Sequence, residues 1–283
     1  MNHKHWMKAA FAVACYVAVA NATAGDLLAT VKNRKEIVIA TEAAFMPFEF
    51  VSKGAITGYD EDLLHYVLEG LPGVRLTQRD LPWAGVLPGL AAGKFDMVVT
   101  AVGITPERDD KFAFTVPVAD ATVALVKRAN DGGLAKAEDI SGRVVGAQVG
   151  TSQLRALQHY DKTQRSHGHA AVKDIKEYAT VDEAYADLAA GRIDAVAQSL
   201  ANLSPLVKTR PDTFAIVKPS IGPQAYFAWV GRKDNDSASL VKFFSDRIAQ
   251  ANSNGKMREL QIKWFGFPMP VPVTHVAAPA DQN

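Results

Sequence analysis

Gly103-Ile104-Thr105-Pro106-Glu107-Arg108 and Gly146-Ala147-Gln148-Val149-Gly150-Thr151-Ser152 are the two stretches that decide how this chain folds. Each leads out of an apolar run of strand length, through glycine, into a helix start. In the first, Met97-Val98-Val99 reads as the strand, Thr105 is a hydroxyl cap, and Pro106 takes the first helical position. Arg108 then falls in the first turn, where a guanidinium beside unpaired backbone N–H groups makes a two-pronged receptor for a carboxylate. The plainer alternative is a surface arginine paired with Asp109 or Asp110. In the second, the glycine turn and the hydroxyls of Thr151 and Ser152 open a helix whose N–H groups carry roughly half a positive charge and can hold an anion. An ordinary strand-to-helix turn has the same outline. In open α/β sheets ligands collect beyond the carboxyl ends of strands, so two such ends in separate halves of the chain point at one shared guest.

Outward from these stretches, short apolar runs alternate with helical spacing, which gives an α/β chain with parallel-rich sheets covered by helices. Ile37 to Ala40, Val74 to Leu81 and Met97 to Val99 read as strands, with helices over Tyr59 to Leu68 and Trp83 to Ala92 ending at Gly70 and Gly93. A break at Asn130-Asp131-Gly132-Gly133 precedes a second series. It holds strands over Arg143 to Val149, Ile175 to Ala179 and Asp194 to Gln198, and helices over Ser152 to Tyr160, Asp182 to Ala190 and Leu200 to Thr209. A strand over Ala225 to Gly231 and a helix over Ser237 to Ala251 follow. No internal repeat or low-complexity tract stands out. Pro268 to Asn283 reads as an extended or frayed tail.

The first residues read as an address. Lys4 and Lys8 precede an apolar run from Ala9 to Ala20 and the small-residue pattern Ala22-Thr23-Ala24, the outline of a secretory signal peptide over residues 1–24. Ala12-Val13-Ala14-Cys15 sketches a lipoprotein site, but the run favours cleavage after Ala24. Cys15 is the single cysteine, so the secreted chain has no thiol and no disulfide to rely on. Charges nearly balance, with 31 Lys and Arg against 30 Asp and Glu, which gives no electrostatic case for nucleic acid or anionic lipid. The length is that at which single cores split, so two lobes are expected.

The order of these features resembles the bacterial type 3 extracellular solute-binding proteins that serve polar amino-acid ABC importers. The landmarks are Ile39 to Phe50 with its Phe45-Met46-Pro47-Phe48-Glu49-Phe50 run, Gly58-Tyr59-Asp60-Glu61-Asp62-Leu63, and Trp83 to Leu90 before Ala92-Gly93-Lys94-Phe95-Asp96. They continue through Ile104 to Arg108, Val145 to Ser152, Gly191 to Val196 and Lys263-Trp264-Phe265-Gly266. The resemblance implies a two-lobed periplasmic, Venus-flytrap fold of type II. Residues 25–119 with 224–267 form lobe 1 and residues 120–223 lobe 2, with hinges near 118–123 and 223–227. It implies that Arg108 grips the ligand carboxylate with help from Thr151 and Ser152, that Phe45 and Trp83 sandwich the ligand body, and that Glu42 meets a distal cation. Thr100, Gly103, Thr105 and Ser199 complete the expected site. The chemistry suits an apolar cleft with a few fixed polar groups, while core packing is the alternative for the two aromatics and a solvated strand end for Glu42.

Two departures bear on the ligand. Ser199 stands where the family pattern places an aspartate that receives the ligand's α-ammonium, and Gly103 stands where a hydroxyl residue is usual. A serine accepts a hydrogen bond from an ammonium but cannot neutralise it. Either another carboxylate, Glu42 or Asp120, takes the cation, or the ligand nitrogen is substituted, cyclised or absent; the residues lean to the second.

The expected function is therefore that of a monomeric, periplasmic binding component that carries an amino acid or similar small carboxylate to an inner-membrane ABC permease, with no cofactor, no metal and no nucleic-acid partner. A cyclohexadienyl-dehydratase-like enzyme would need a positioned general acid, for which Glu42 and Glu49, both in the Ile39 to Phe50 landmark, are the candidates. Nucleophile-elbow, P-loop, zincin and dinucleotide patterns are absent, and His167 and His169 lack further ligands for a metal. A role as ligand-dependent partner of a membrane sensor shares every one of these residues.

Overall fold

The computed structural model describes residues 25–278; the leader read over residues 1–24, with Cys15, lies outside them. Met97–Gly103 is buried at all seven positions, as a central strand covered on both faces must be. It sits beside Glu36–Thr41, which runs parallel to it and to Arg75–Asp80 on the far side. Tyr226–Arg232 joins antiparallel to Met97–Gly103, with Phe112–Phe114 outside it. The second sheet places Val144–Gln148 between Asp174–Tyr178 and Ala195–Ser199, both parallel. Val123–Arg128 then lies antiparallel to Ala195–Ser199, with Phe214–Ile221 at the edge. Mixed sheets of this kind, clothed by helices, make the molecule an α/β protein of two lobes.

The two sheets share one strand order. In each, the fourth strand is the antiparallel one, and it comes from the chain that has just crossed over from the other lobe. The likeness reaches single atoms. The turns Ala92-Gly93-Lys94-Phe95-Asp96 and Ala190-Gly191-Arg192-Ile193-Asp194 both present an aspartate to the first strand of their sheet. Asp96 Oδ2 accepts from Val38 N at 2.7 Å and Asp194 Oδ2 from Val144 N at 2.8 Å. Each aspartate N–H donates back to the same residue's carbonyl at 2.8 Å. The likeness is written in the residues too, Leu90-Ala91-Ala92-Gly93-Lys94-Phe95-Asp96 against Leu188-Ala189-Ala190-Gly191-Arg192-Ile193-Asp194, a short local repeat that reading the sequence for repeats missed.

The crossing strands lie side by side, Asp120 opposite Tyr226 and Val123 opposite Ile221, which is the arrangement of a two-strand hinge. Most elements begin and end within two residues of their expected limits, but the helix opening at Ser152 runs to Ser166, well beyond Tyr160. Several elements were not anticipated: the helices Leu27–Arg34 and Lys256–Phe265, the strand Phe214–Ile221, and a small antiparallel sheet of Ala44–Phe45, Glu49–Ser52 and Ala55–Thr57. Pro219 hides Phe214–Ile221, since proline argues against a strand unless it lies at an edge, where this one does. The tail is extended but not frayed at its start. Met269 is buried and its N–H donates to Gln261 Oε1 at 2.8 Å, and Asn252 Nδ2 donates to Val271 O at 3.0 Å.

Candidate functional site

The carboxyl ends of Glu36–Thr41, Met97–Gly103 and Val144–Gln148 converge where the lobes meet. Glu42 follows the first of these ends, Thr100 to Gly103 belong to the second, and Gln148 closes the third. After Gln148 the backbone turns at Gly150, whose φ of +69° is open to glycine at little cost. Thr151 then caps the long helix, its Oγ1 accepting from Leu154 N at 3.2 Å. On the other lobe Thr105 stands at the N-cap and Pro106 begins the short helix Pro106–Lys111, which brings Arg108 up beneath Gly103.

Arg108 faces the opposite lobe and not Asp109 or Asp110. Its Nη1 donates to Gly103 O and its Nη2 to Gly150 O, each at 2.8 Å. Trp83 Nε1 donates to the same Gly150 carbonyl at 3.0 Å, and the guanidinium carbon lies 5.1 Å from the centre of the Trp83 ring. Burial pushes the guanidinium down to about 10, with Arg155 as a further cause, so it remains a full cation at neutral pH. Across the same space Gln148 Nε2 donates to Glu42 Oε1 at 2.6 Å and to Ala179 O at 3.1 Å. Burial raises the Glu42 carboxyl to about 7, against the lowering effect of Gln148. Gln148 Oε1, also buried, has no hydrogen-bond partner among the described residues. It is a free acceptor beside a carboxyl that half-titrates at neutral pH.

Eight of the ten expected residues meet in one pocket: Glu42, Phe45, Trp83, Thr100, Gly103, Arg108, Thr151 and Ser152. Its volume of about 10 Å³ is close to what one water needs, because the lobes press together here. Gly103 makes the approach feasible, since a Cβ at that position would lie 2.1 Å from Ser152 Oγ. Phe45 and Trp83 serve the core as well as the pocket. Phe45 stacks on Phe48 at 5.7 Å, and Trp83 packs with Val86 and Leu90.

The remaining two stand elsewhere. Thr105 lines an adjoining groove instead. Ser199 is fully buried as the N-cap of Leu200–Thr209, its hydroxyl bonded to Asn202 Oδ1 and accepting from Asn202 N at 3.3 Å, and it does not line the pocket. Asp120 also lies apart, its Oδ1 accepting from Thr122 N at 2.7 Å within the crossing segment. Glu42 is thus the acidic residue lining the pocket among the described residues.

Reasoning from sequence missed Gln148 and Gln153 as pocket residues. Both are polar side chains about 97% buried or more, and Gln153 Nε2 donates to Gln198 Oε1 at 2.8 Å. A glutamine ending an otherwise apolar strand was the available signal at position 148. Beneath the pocket floor, Thr100 Oγ1 donates to Glu49, which lies against Asp60. Full burial, and for Glu49 the neighbouring carboxyl, raise both groups, so the pair is held partly protonated inside lobe 1. Glu49 therefore acts on the site only through Thr100.

Comparisons with known proteins agree with this geometry. Residues 37–267 match the model of the bacterial extracellular solute-binding proteins, family 3. The L-cystine-binding protein TcyJ of Escherichia coli K12 is 31% identical over 242 residues, covering 85% of this chain and 86% of that protein. The octopine-binding periplasmic protein of Rhizobium meliloti is 27% identical, covering 82% of this chain and 91% of that one. Among solved structures, a substrate-binding protein of an ABC uptake transporter from Streptococcus pneumoniae with bound histidine superimposes with a TM-score of 0.77. It is 25% identical and covers 88% of this chain and all of that one. An ancestral arginine-binding protein bound to arginine gives a TM-score of 0.70 at 29% identity, over 82% and 99% of the two chains. With a family match over most of its length, and two mixed sheets whose strand ends meet at one arginine, the chain belongs to the bacterial extracellular solute-binding proteins, family 3.

Proposed function

We propose that this protein binds an amino acid or an amino-acid-like small carboxylate between its lobes, in the periplasm and as a monomer, and hands it to an ABC permease. The observation that carries this is the meeting of Arg108 with the Gly150 turn, opposite a buried Glu42. A ligand carboxylate takes the guanidinium fork in exchange for the Gly103 and Gly150 carbonyls, and the N–H groups at Thr151 and Ser152 face the same charge. Glu42, with the free Gln148 Oε1 beside it, receives the ligand's positive group, the role Ser199 and Asp120 are too distant from the pocket to fill. Phe45 and Trp83 cover the apolar body between these poles. Because the ligand touches both lobes, it favours the closed form by its greater affinity for that form, and closure is what a permease reads.

Mass spectrometry of small molecules released from freshly purified, never-unfolded protein, followed by calorimetry with the compound found, tests this. A carboxylate that binds with micromolar or better affinity, about 8 kcal/mol, is the expected result. Release of compounds without any carboxylate, and no heat from amino acids or their derivatives, overturns it.

One observation favours a catalytic reading. A buried glutamate held near 7 is what a general acid requires. Binding is preferred because Glu42 is already engaged by Gln148 and, among the described residues, no other carboxyl, imidazole or thiol lines the pocket. Turnover of prephenate or arogenate by the purified protein would reverse the order.

A further inference from the structure

The Arg108 pocket has a larger neighbour. On the other side of Gly103 and Ser152 a groove of about 470 Å³ runs along the hinge. Gly103 and Ser152 line both spaces, so the partition between them is one hydroxymethyl group seated on a glycine. The floor is apolar, formed by Ile104 and Pro106 of one lobe and by Val123, Ile221 and Pro223 of the crossing strands. One side is the face of the helix Ser152–Ser166 that carries Arg155, His159 and Lys162, and no acidic residue lines the groove among the described residues. Arg155 is paired with Glu107 across the lobes at the rim, which leaves His159 and Lys162 as the groove's polar end.

We propose that this groove holds the far half of an elongated ligand with an anionic group at each end, the first on Arg108 and the second at His159 and Lys162. The inference rests on the reading of Arg108 as the receptor of the first carboxylate. Three features support it. The space beside Arg108 is far below the roughly 300–1,000 Å³ of ordinary small-ligand sites, whereas the groove lies within that range. A rise of 1.5 Å per residue sets His159 about 10 Å along the axis from Ser152, and helical side chains lean back toward the N-terminus. The second charge therefore sits too far from the first for a short dicarboxylate. It suits two amino-acid-sized halves joined through an apolar link lying on Ile104, Val123 and Pro223. Finally, the groove is lined by both lobes and by the hinge, so an occupant gains its contacts in the closed form.

Calorimetry separates this proposal from the reading beneath it. The probes are L-cystine and LL-diaminopimelate as two-headed ligands, with S-methyl-L-cysteine and L-norleucine as their single-headed counterparts. They are titrated into the wild type, the double variant His159→Ala/Lys162→Ala and Arg108→Ala. Wild-type protein is expected to bind at least one two-headed probe tenfold or more tightly than its counterpart. The double variant should lose that advantage while its affinity for the single-headed probe moves by no more than twofold, and its melting temperature should change little because Lys162 is exposed and the half-buried His159 lies outside the core. Failure of the wild type to prefer either two-headed probe overturns the proposal, as does a double variant that weakens both kinds equally. Failure of the underlying reading has a different signature: Arg108→Ala binding every probe as the wild type does.

Discussion

Replacing Arg108 with alanine tests the centre of the site, and the structure sets the size of the effect. The guanidinium makes two hydrogen bonds of 2.8 Å to neutral carbonyls, Gly103 O and Gly150 O. In the proposed complex, both are exchanged for bonds to a carboxylate. Hydrogen bonds between charged partners are about twice as strong as neutral ones, and those to charged groups contribute roughly 1.5–3 kcal/mol each. The two-bond exchange, offset by the two carbonyl contacts given up, is therefore worth about 3 kcal/mol, or roughly 150-fold in Kd. Folding should survive, because Gly150 O keeps its bond from Trp83 Nε1 and no carboxylate is left buried without its partner. Arg108→Lys retains the charge but loses the fork and should fall between, about tenfold weaker than wild type. Isothermal titration with the natural ligand, beside a thermal melt of each variant, reads both quantities. A Kd within threefold of wild type for a folded Arg108→Ala protein would refute the argument, since the fork would then be bonded to its two carbonyls in the complex as well.

Four further outcomes follow from other parts of the molecule. Glu42 rises from an ordinary 4.5 to about 7 on burial, so between those pH values the unfolded chain releases a proton that the closed form keeps. The stabilisation is full below pH 4.5 and is lost as pH rises to about 7, a change of about 3 kcal/mol at most; urea unfolding across pH 4–8 measures it, and Glu42→Gln should remove this share and leave that of the buried Glu49 and Asp60 pair. A ligand cation placed on Glu42 must expel that proton, so binding at pH 6.5 should release most of one, about three quarters, read in buffers of differing ionisation enthalpy; no release would detach Glu42 from the cation. Gly103→Ala puts a methyl 2.1 Å from Ser152 Oγ, so small-angle scattering should show a more open molecule without added ligand, while unchanged scattering would mean that Ser152 yields instead. Asp96→Ala removes a buried acceptor from Val38 N and from Arg34 and should cost about 2 kcal/mol, lowering Tm by about 6 °C. A Tm within 1 °C of wild type would show that water replaces the carboxylate.

Much of this was legible in the residues because the signals are local. Strand, glycine turn and hydroxyl cap occur within seven residues at Gly146 to Ser152, and within six at Gly103 to Arg108, so short-range sterics and capping chemistry fix both ends of the site. Phe214–Ile221 was hidden by Pro219, whose meaning depends on whether the strand is central or at an edge, and only the assembled sheet decides that.

Sequence alone determined the alternation of strands and helices and the two strand-to-helix turns, at Gly103 to Arg108 and Gly146 to Ser152, that the fold brings together. Tertiary structure decided which polar groups share the pocket. Ser199 lies five residues from Asp194 in a familiar pattern, yet its hydroxyl turns inward to cap its own helix. Gln148 and Glu42, 106 residues apart, meet across the lobes. It also decided that Gly103 matters for what presses against it, Ser152 from the opposite lobe, and that a groove opens beyond the pair. The physical reason is range: a cap or a turn is settled by neighbours in the chain, whereas a pocket between two lobes is made of contacts whose partners the order of residues does not bring together until the hinge has closed.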